Sequence, residues 1–132
     1  MKVSFRCFGH QNILATHKTT LEFISGGQLS KAGDCIIGVK TKFPDLTHFL
    51  DADKVTVTIT VASHRFSTVG APNKKYVTGD ELVIRMGEHS SGRTFLTRAD
   101  KAAANMPREL VRLMQNPMQE ITVEVSDEKT AR

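Results

Sequence analysis

Residues 54–62 read KVTVTITVA, the strongest strand pattern in the chain. Valine and isoleucine alternate there with threonine, so that Val55, Val57 and Ile59 fall on one face and the threonines on the other. Successive side chains of a strand point to opposite faces, and β-branched residues favour strands. We therefore predict a half-buried β-strand with an outer face made of threonine.

Similar alternation recurs toward both ends of the chain. In residues 15–24, His17 shares a face with Leu21 and Phe23, whereas Glu22 falls on the opposite face. We expect residues 10–14 to form a corner and residues 63–69 to pair back onto 54–62. The complete set of predicted strands is 2–8, 15–24, 35–39, 54–62, 63–69, 82–86, 94–97 and 121–125.

Two stretches depart from this pattern and predict helices. Residues 44–50 begin with Pro44, which suits a first helical turn, and Asp45 complements the positive end of a helix. Residues 99–115 carry apolar side chains at spacings of three and four. Pro107 interrupts that stretch, so we expect a short helix to residue 105 and a second from 107 to about 115. The predicted fold class is α+β: a twisted, mostly antiparallel or barrel-like sheet, one short helix mid-chain and a broken helix near the C-terminus.

The composition is that of an ordinary soluble domain. The chain has 132 residues, of which 39% are hydrophobic and 24% charged, with a net charge of +4. We assign residues 1–126 to one globular domain and 127–132 to a flexible C-terminal tail. No apolar run is long enough to cross a bilayer, and no signal peptide precedes the first strand, so we expect a cytoplasmic protein without a membrane partner. Cys7 and Cys35 are expected to be unpaired.

Imidazole, amide, hydroxyl and carboxylate groups cluster at the predicted corner and at the mouths of two predicted strands. If those strands pair, the groups converge into a polar pocket suited to a ligand. The alternative is that they satisfy the backbone of turns, as such side chains often do at strand ends. The predicted ligand-binding residues are His10, Asn12, Thr16, His17 and Asp34.

The same residues also suggest catalytic or metal-binding roles. His10 or His17 could act as a base with Asp34 orienting it, which would make a small hydrolase or lyase. Cys35 opens an apolar run, which favours an inert thiol over a nucleophile. The two histidines lack the spacing of a zinc motif, so we predict no metal and assign no cofactor.

Basic residues form a second candidate feature near the C-terminus. Arg98 and Lys101 open a stripe that continues with Arg108 and Arg112 at helical spacing. Such a stripe suits a phosphate backbone, although a solvated helix face is the plainer interpretation because acidic residues interrupt it. Arg98 and Lys101 join the predicted ligand-binding residues. Lysines elsewhere could add to the positive field: Lys40, Lys42, Lys74 and Lys75.

Three motifs together resemble an archaeal family catalogued only as a domain of unknown function. They are GHQNILATHKTTLE at 9–22, of the pattern GHxNxxATHKTTLE, GDCIIGV at 33–39, and RADKAA at 98–103 followed by REL at 108–110. The resemblance implies a compact archaeal-type cytosolic protein, and it implies no activity. It singles out these polar positions: His10, Asn12, Thr16, His17, Thr20, Glu22, Asp34, Cys35, Arg98, Asp100 and Lys101.

These observations lead to one functional prediction and two alternatives. We predict a binding domain for RNA or a phosphorylated small molecule, because a dense polar motif accompanies a positive net charge. The first alternative is the hydrolase or lyase. The second is a homo-oligomeric scaffold that packs through the threonine face of residues 54–62.

Overall fold

The computed structural model describes residues 1–128 and consists mainly of β-strands. It also contains a short α-helix and two 3₁₀ turns, at Thr47–Phe49 and Ala103–Asn105. In chain order the strands and the helix are β1 (Lys2–Phe8), β2 (Thr20–Ile24), β3 (Ile36–Gly38), β4 (Val55–Val61), β5 (His64–Pro72), β6 (Glu81–Arg85), β7 (Thr94–Thr97), α1 (Arg108–Met114) and β8 (Glu120–Ser126).

All eight strands belong to one sheet in the order β1-β8-β4-β5-β7-β6-β2-β3. Neighbouring strands are antiparallel except for the parallel pairs β2–β3 and β6–β7, which confirms the mostly antiparallel sheet. The sheet is open, with β1 and β3 as its edge strands. An isolated bridge between Phe8 and Val39 nevertheless connects the two edges at one point.

The core lies against the inner face of β4. Val55, Val57, Ile59 and Val61 are buried, while the threonines between them are half-buried, as the alternation predicts. α1 packs against β4 and contributes the buried side chains of Leu110, Val111 and Met114. β5 pairs back onto β4 in an antiparallel hairpin, which confirms that prediction.

The prediction of one strand over residues 15–24 is wrong in its first half. Ala15 adopts a left-handed backbone with φ of 51°, and β2 begins only at Thr20. The His17 ring accounts for the late start, because its Nδ1 accepts the backbone N–H groups of Thr19 and Thr20. Those two amides are thereby drawn into a local turn.

The helical predictions correspond to shorter elements. Within 44–50 the chain forms only the 3₁₀ turn Thr47–Phe49. Within 99–115 it forms the 3₁₀ turn Ala103–Asn105 and then α1, with Pro107 immediately before the helix. Of the predicted tail 127–132, Asp127 lies 2.7 Å from the N-terminal ammonium of Met1, and residues 129–132 lie outside the described part of the chain.

Candidate functional site

The corner after β1 is held by hydrogen bonds from the predicted site residues. The Asn12 backbone N–H donates to His10 Nδ1 at 3.0 Å, and the Asn12 side-chain amide donates to the Leu29 carbonyl at 2.8 Å. Both His10 and Asn12 are half-buried. The corner is thus fixed internally and attached to the loop between β2 and β3.

A second group of predicted residues meets near the beginnings of β2 and β3. These two strands pair in parallel, so their beginnings lie side by side. The backbone N–H groups of Thr16 and His17 donate to the Asp34 carbonyl at 3.1 and 3.4 Å. The Thr16 hydroxyl also donates to Asp34 Oδ2 at 3.4 Å. The structure therefore brings Thr16, His17 and Asp34 together. It does so through hydrogen bonds to backbone groups of a turn, which is the alternative to a ligand pocket that the sequence also suggests.

One ring nitrogen of each histidine, Nδ1, has defined hydrogen-bond partners. In each ring Nδ1 accepts backbone N–H groups, from Asn12 at His10 and from Thr19 and Thr20 at His17. A neutral imidazole whose Nδ1 accepts carries its proton on Nε2, which is then a donor. Neither neutral ring presents a free basic nitrogen, so these contacts give no support to a hydrolase or lyase that uses them as bases.

Arg98 and Lys101 make different contacts. Arg98 lies 3.7 Å from Glu88 Oε1 and lines a cleft of about 410 Å³ that also contains Asp53, Lys54 and Asp100. The Lys101 ammonium lies 5.4 Å from the centre of the Phe66 ring. Among the side-chain contacts within residues 1–128, neither Arg98 nor Lys101 reaches the residues of the corner. The structure thus divides the predicted ligand-binding residues between separate places.

Glu22 is buried, although the alternation places it on the face opposite the apolar Leu21 and Phe23. It is only 7% exposed, and the first four residues of β2 are all buried, so both faces of this strand are covered. Burial, and then the neighbouring Glu81 carboxylate, raise the pKa of Glu22 to about 7. The Cys35 thiol donates to Glu22 Oε1 at 3.5 Å. Burial and the Glu22 charge raise the pKa of Cys35 to about 12, so the thiol stays protonated and is a poor nucleophile.

The buried Glu22 carboxyl makes stability depend on pH. Its pKa rises from 4.5 to about 7 on folding, so ionisation is harder in the folded state and stability falls as pH rises between these values. The full shift corresponds to about 3 kcal/mol above the upper value. We expect Glu22→Gln to be more stable than the wild type by about 1–2 kcal/mol at roughly pH 8. The glutamine amide places no charge in the buried site, but its hydrogen bond with the Cys35 thiol is weaker than that of the carboxylate.

Urea unfolding of the wild type and Glu22→Gln between about pH 5 and about pH 8 measures this effect. The exposed Glu109 supplies the control, since Glu109→Gln removes the same charge without a buried carboxyl. A stability difference between the wild type and Glu22→Gln that does not change with pH would contradict the assignment.

Three basic side chains line a cleft between β1 and the segment that follows β3. The cleft has a volume of about 440 Å³, and Arg6 and Phe8 line it from β1. Lys40 and Lys42 line it from the segment that follows β3. The other lining residues are Ser4, Phe5 and Pro44. We call this the basic cleft.

Local backbone geometry builds both walls of the basic cleft. Phe8 and Val39 exchange two backbone hydrogen bonds of 2.9 Å, which bring the segment after β3 alongside the end of β1. Lys40 then adopts a left-handed backbone with φ of 55°, and its N–H donates to the Gly26 carbonyl at 2.9 Å. Thr41 is buried, whereas Lys40 and Lys42 on either side of it are exposed.

The positive charge of the basic cleft is mostly uncompensated. Arg6 lies 3.4 Å from Glu120 Oε2, an exposed pair that contributes little stability. Within residues 1–128, neither Lys40 nor Lys42 forms a salt bridge. Ser4 and Arg6 fall on the exposed face of β1, where residues alternate between exposed and more buried positions. This pattern does not predict the cleft, because its second wall is formed by a contact between residues that are distant in sequence, Phe8 and Val39.

The chain matches a known family along most of its length. Residues 5–128 match the family described as "Domain of unknown function (DUF371)". The chain belongs to the DUF371 family. It is also 31% identical over 122 residues to "Uncharacterized protein MJ0206" of Methanocaldococcus jannaschii, an alignment that covers 85% of this chain and 90% of that protein. The uncharacterised archaeal family that the sequence motifs indicated is thereby confirmed.

Two structural findings add to the family assignment. No helix within residues 1–128 of this DUF371 chain has the length and apolar character needed to span a membrane. In the same residues, no three histidine, cysteine, aspartate or glutamate side chains come close enough to hold a metal ion.

Proposed function

We propose that this DUF371 domain binds a phosphate-bearing ligand, RNA or a phosphorylated small molecule, in the basic cleft. The observation that carries the proposal is the convergence of Arg6, Lys40 and Lys42 on one cleft of about 440 Å³. Clefts of this volume suit small-molecule ligands, and phosphate oxygens accept charge-assisted hydrogen bonds from arginine and lysine. The net charge of +4 favours the approach of an anion.

The two free lysines make the stronger part of this argument. A phosphate group near Lys40 and Lys42 would displace only water and mobile counterions, because neither lysine has a carboxylate partner within residues 1–128. Arg6 would exchange its contact with Glu120 for the ligand. Arginine can bind phosphate through two parallel N–H groups, so that exchange favours the ligand.

We propose a positioning role for the polar corner. Asn12 binds the Leu29 carbonyl and Lys40 binds the Gly26 carbonyl, so both contact the loop between β2 and β3. Thr16 and His17 hold Asp34 at the far end of that loop. His10, Asn12, Thr16, His17 and Asp34 would then fix the wall that carries Lys40, whereas Arg98 and Lys101 serve a separate surface.

Two further expectations stay proposals beside this one. Both cysteines are free, which suits the reducing conditions of the cytoplasm. The half-buried threonines of β4 form the outer surface that a second copy of the chain would cover in a homo-oligomer. Light scattering at working concentration tests the oligomer, and a monomer would exclude it.

The test is an equilibrium titration of a short labelled single-stranded RNA and of ribose 5-phosphate at several salt concentrations. We expect the double variant Lys40→Ala/Lys42→Ala to bind at least about tenfold more weakly at low salt. For RNA, the slope of log affinity against log salt should also fall by roughly 1.4, since each phosphate contact contributes about 0.7. Conversely, Glu120→Gln should tighten binding because it frees Arg6.

Lys74→Ala/Lys75→Ala is the matched control, because it removes the same charge from exposed lysines that do not line the basic cleft. The proposal predicts that this variant retains nearly all of the affinity. It fails if neither test ligand binds the wild type at low salt, or if both double variants lose affinity equally. Thermal unfolding of each variant establishes that the protein is folded.

A further inference from the structure

We infer that the ligand of the basic cleft is a nucleotide whose base stacks on the ring of Phe8. The inference rests on the proposed function and specifies its ligand: a phosphate ester that carries an aromatic base, as a free nucleotide or as a unit of single-stranded RNA. Phe8 lines the basic cleft together with Arg6 from the same strand. A ring and a phosphate partner thus lie two residues apart on one wall.

The placement of Phe8 differs from that of the other rings near this edge. Phe5 and Phe23 belong to the core, where their ring centres are 6.0 Å apart, and Phe43 packs against Phe5 at the same distance. Phe8 is half-buried and is not part of the hydrophobic core. Within residues 1–128 its ring has no aromatic partner. The aromatic and core packing near this edge therefore does not use the Phe8 ring.

Its backbone, by contrast, is held on both sides. Phe8 pairs with Glu120 of β8 on one side and exchanges two 2.9 Å hydrogen bonds with Val39 on the other. A ring on such a backbone loses little freedom when a base stacks on it, so binding requires little ordering. The hydrogen bonds with Val39 also fix the distance between Phe8 on one wall of the basic cleft and Lys40, which follows Val39, on the other wall.

Cations together with an unpartnered ring indicate a nucleotide more specifically than cations alone. Proteins that bind single strands combine a positive groove for the backbone with aromatic side chains on which bases stack. A simple sugar phosphate would use Arg6, Lys40 and Lys42 but not the ring of Phe8. Because the basic cleft measures about 440 Å³, it suits one nucleotide rather than a long stretch of strand.

The experiment compares ligands that differ only in the base. Uridine and adenosine monophosphates carry the same phosphate as ribose 5-phosphate, so the ratio of affinities reports the base alone. We expect the nucleotides to bind roughly tenfold more tightly to the wild type. Phe8→Leu keeps an apolar side chain but removes the stacking surface, so it should bind all three ligands with nearly equal affinity.

Phe8→Trp supplies a second, positive readout. The chain contains no tryptophan, so this variant has a single indole at the proposed stacking position. We expect nucleotides, but not ribose 5-phosphate, to quench its fluorescence while the preference for nucleotides is retained. The same variant keeps the test decisive if Phe8→Leu proves unstable.

The outcomes separate the inference from the proposed function. If ribose 5-phosphate binds as tightly as the nucleotides and Phe8→Leu changes nothing, base stacking is excluded and phosphate binding remains. If no ligand binds the wild type, both fail. Titration of a short oligouridine distinguishes a free nucleotide from a unit of single-stranded RNA. If the natural ligand is RNA, the oligouridine should bind more tightly than uridine monophosphate.

Discussion

Replacing Gly9 with alanine is expected to lower the free energy of unfolding by about 3 kcal/mol or more. A Cβ atom at this position would lie 2.2 Å from the Met114 carbonyl oxygen and 2.4 Å from that of Asn116. Both are backbone atoms, so no side chain can rotate away to make room. The end of α1 would have to move away from the end of β1.

That movement would also disrupt hydrogen bonds. The Gly9 N–H donates to the Gln119 carbonyl at 3.0 Å, and the His10 N–H donates to Met114 at 2.9 Å. Urea unfolding followed by circular dichroism measures the loss. The control is Gly26→Ala, because nothing lies within 4 Å of a Cβ atom at Gly26. Equal stability of the two variants would show that the contact between Gly9 and α1 is not as close as described.

Replacing Arg108 with alanine is expected to lower the free energy of unfolding by about 2–3 kcal/mol. The Arg108 guanidinium donates hydrogen bonds to four backbone carbonyls, those of Leu14, Ala15, Ala103 and Met106. Their distances run from 2.9 to 3.4 Å. One side chain thereby attaches the strained turn at Ala15 to the segment that precedes α1.

Two companion variants make this prediction specific. Arg112→Ala removes the same charge one helical turn later. The Arg112 side chain is exposed and makes no hydrogen bond or salt bridge within residues 1–128. Its removal should therefore change the free energy of unfolding by less than about 1 kcal/mol. Arg108→Lys should recover only part of the loss, because an ammonium group cannot reach carbonyls in four directions. Similar stability of Arg108→Ala and Arg112→Ala would overturn the interpretation.

Local patterns predicted most of the sheet because alternation is a property of each strand alone. β4, β5, β7 and β8 appear close to where the sequence placed them. The predicted convergence of the polar residues requires β2 and β3 to pair, and the structure pairs them, in parallel orientation. The proximity of Thr16, His17 and Asp34 then follows from the meeting of the two strand mouths.

The remaining features depend on contacts between distant residues. Glu22 occupies a polar position in the alternation, yet neighbouring strands bury it. Arg108 fits a solvated stripe, and only the approach of Leu14 and Ala15 gives it backbone partners. The basic cleft exists because Phe8 meets Val39, a pairing that no local period encodes.

The position of β8 in the sheet constrains when the protein can fold during synthesis. β8 lies between β1 and β4, and all seven residues of β1 pair with it. On the ribosome, β1 is therefore synthesised before the other strands, but it can pair with its main partner only after β8 has also emerged. The hairpin of β4 and β5 can form much earlier, because its strands are adjacent in sequence. Completion of the sheet is consequently a late event, and β1 lacks its β8 partner until nearly all of the described domain has been translated.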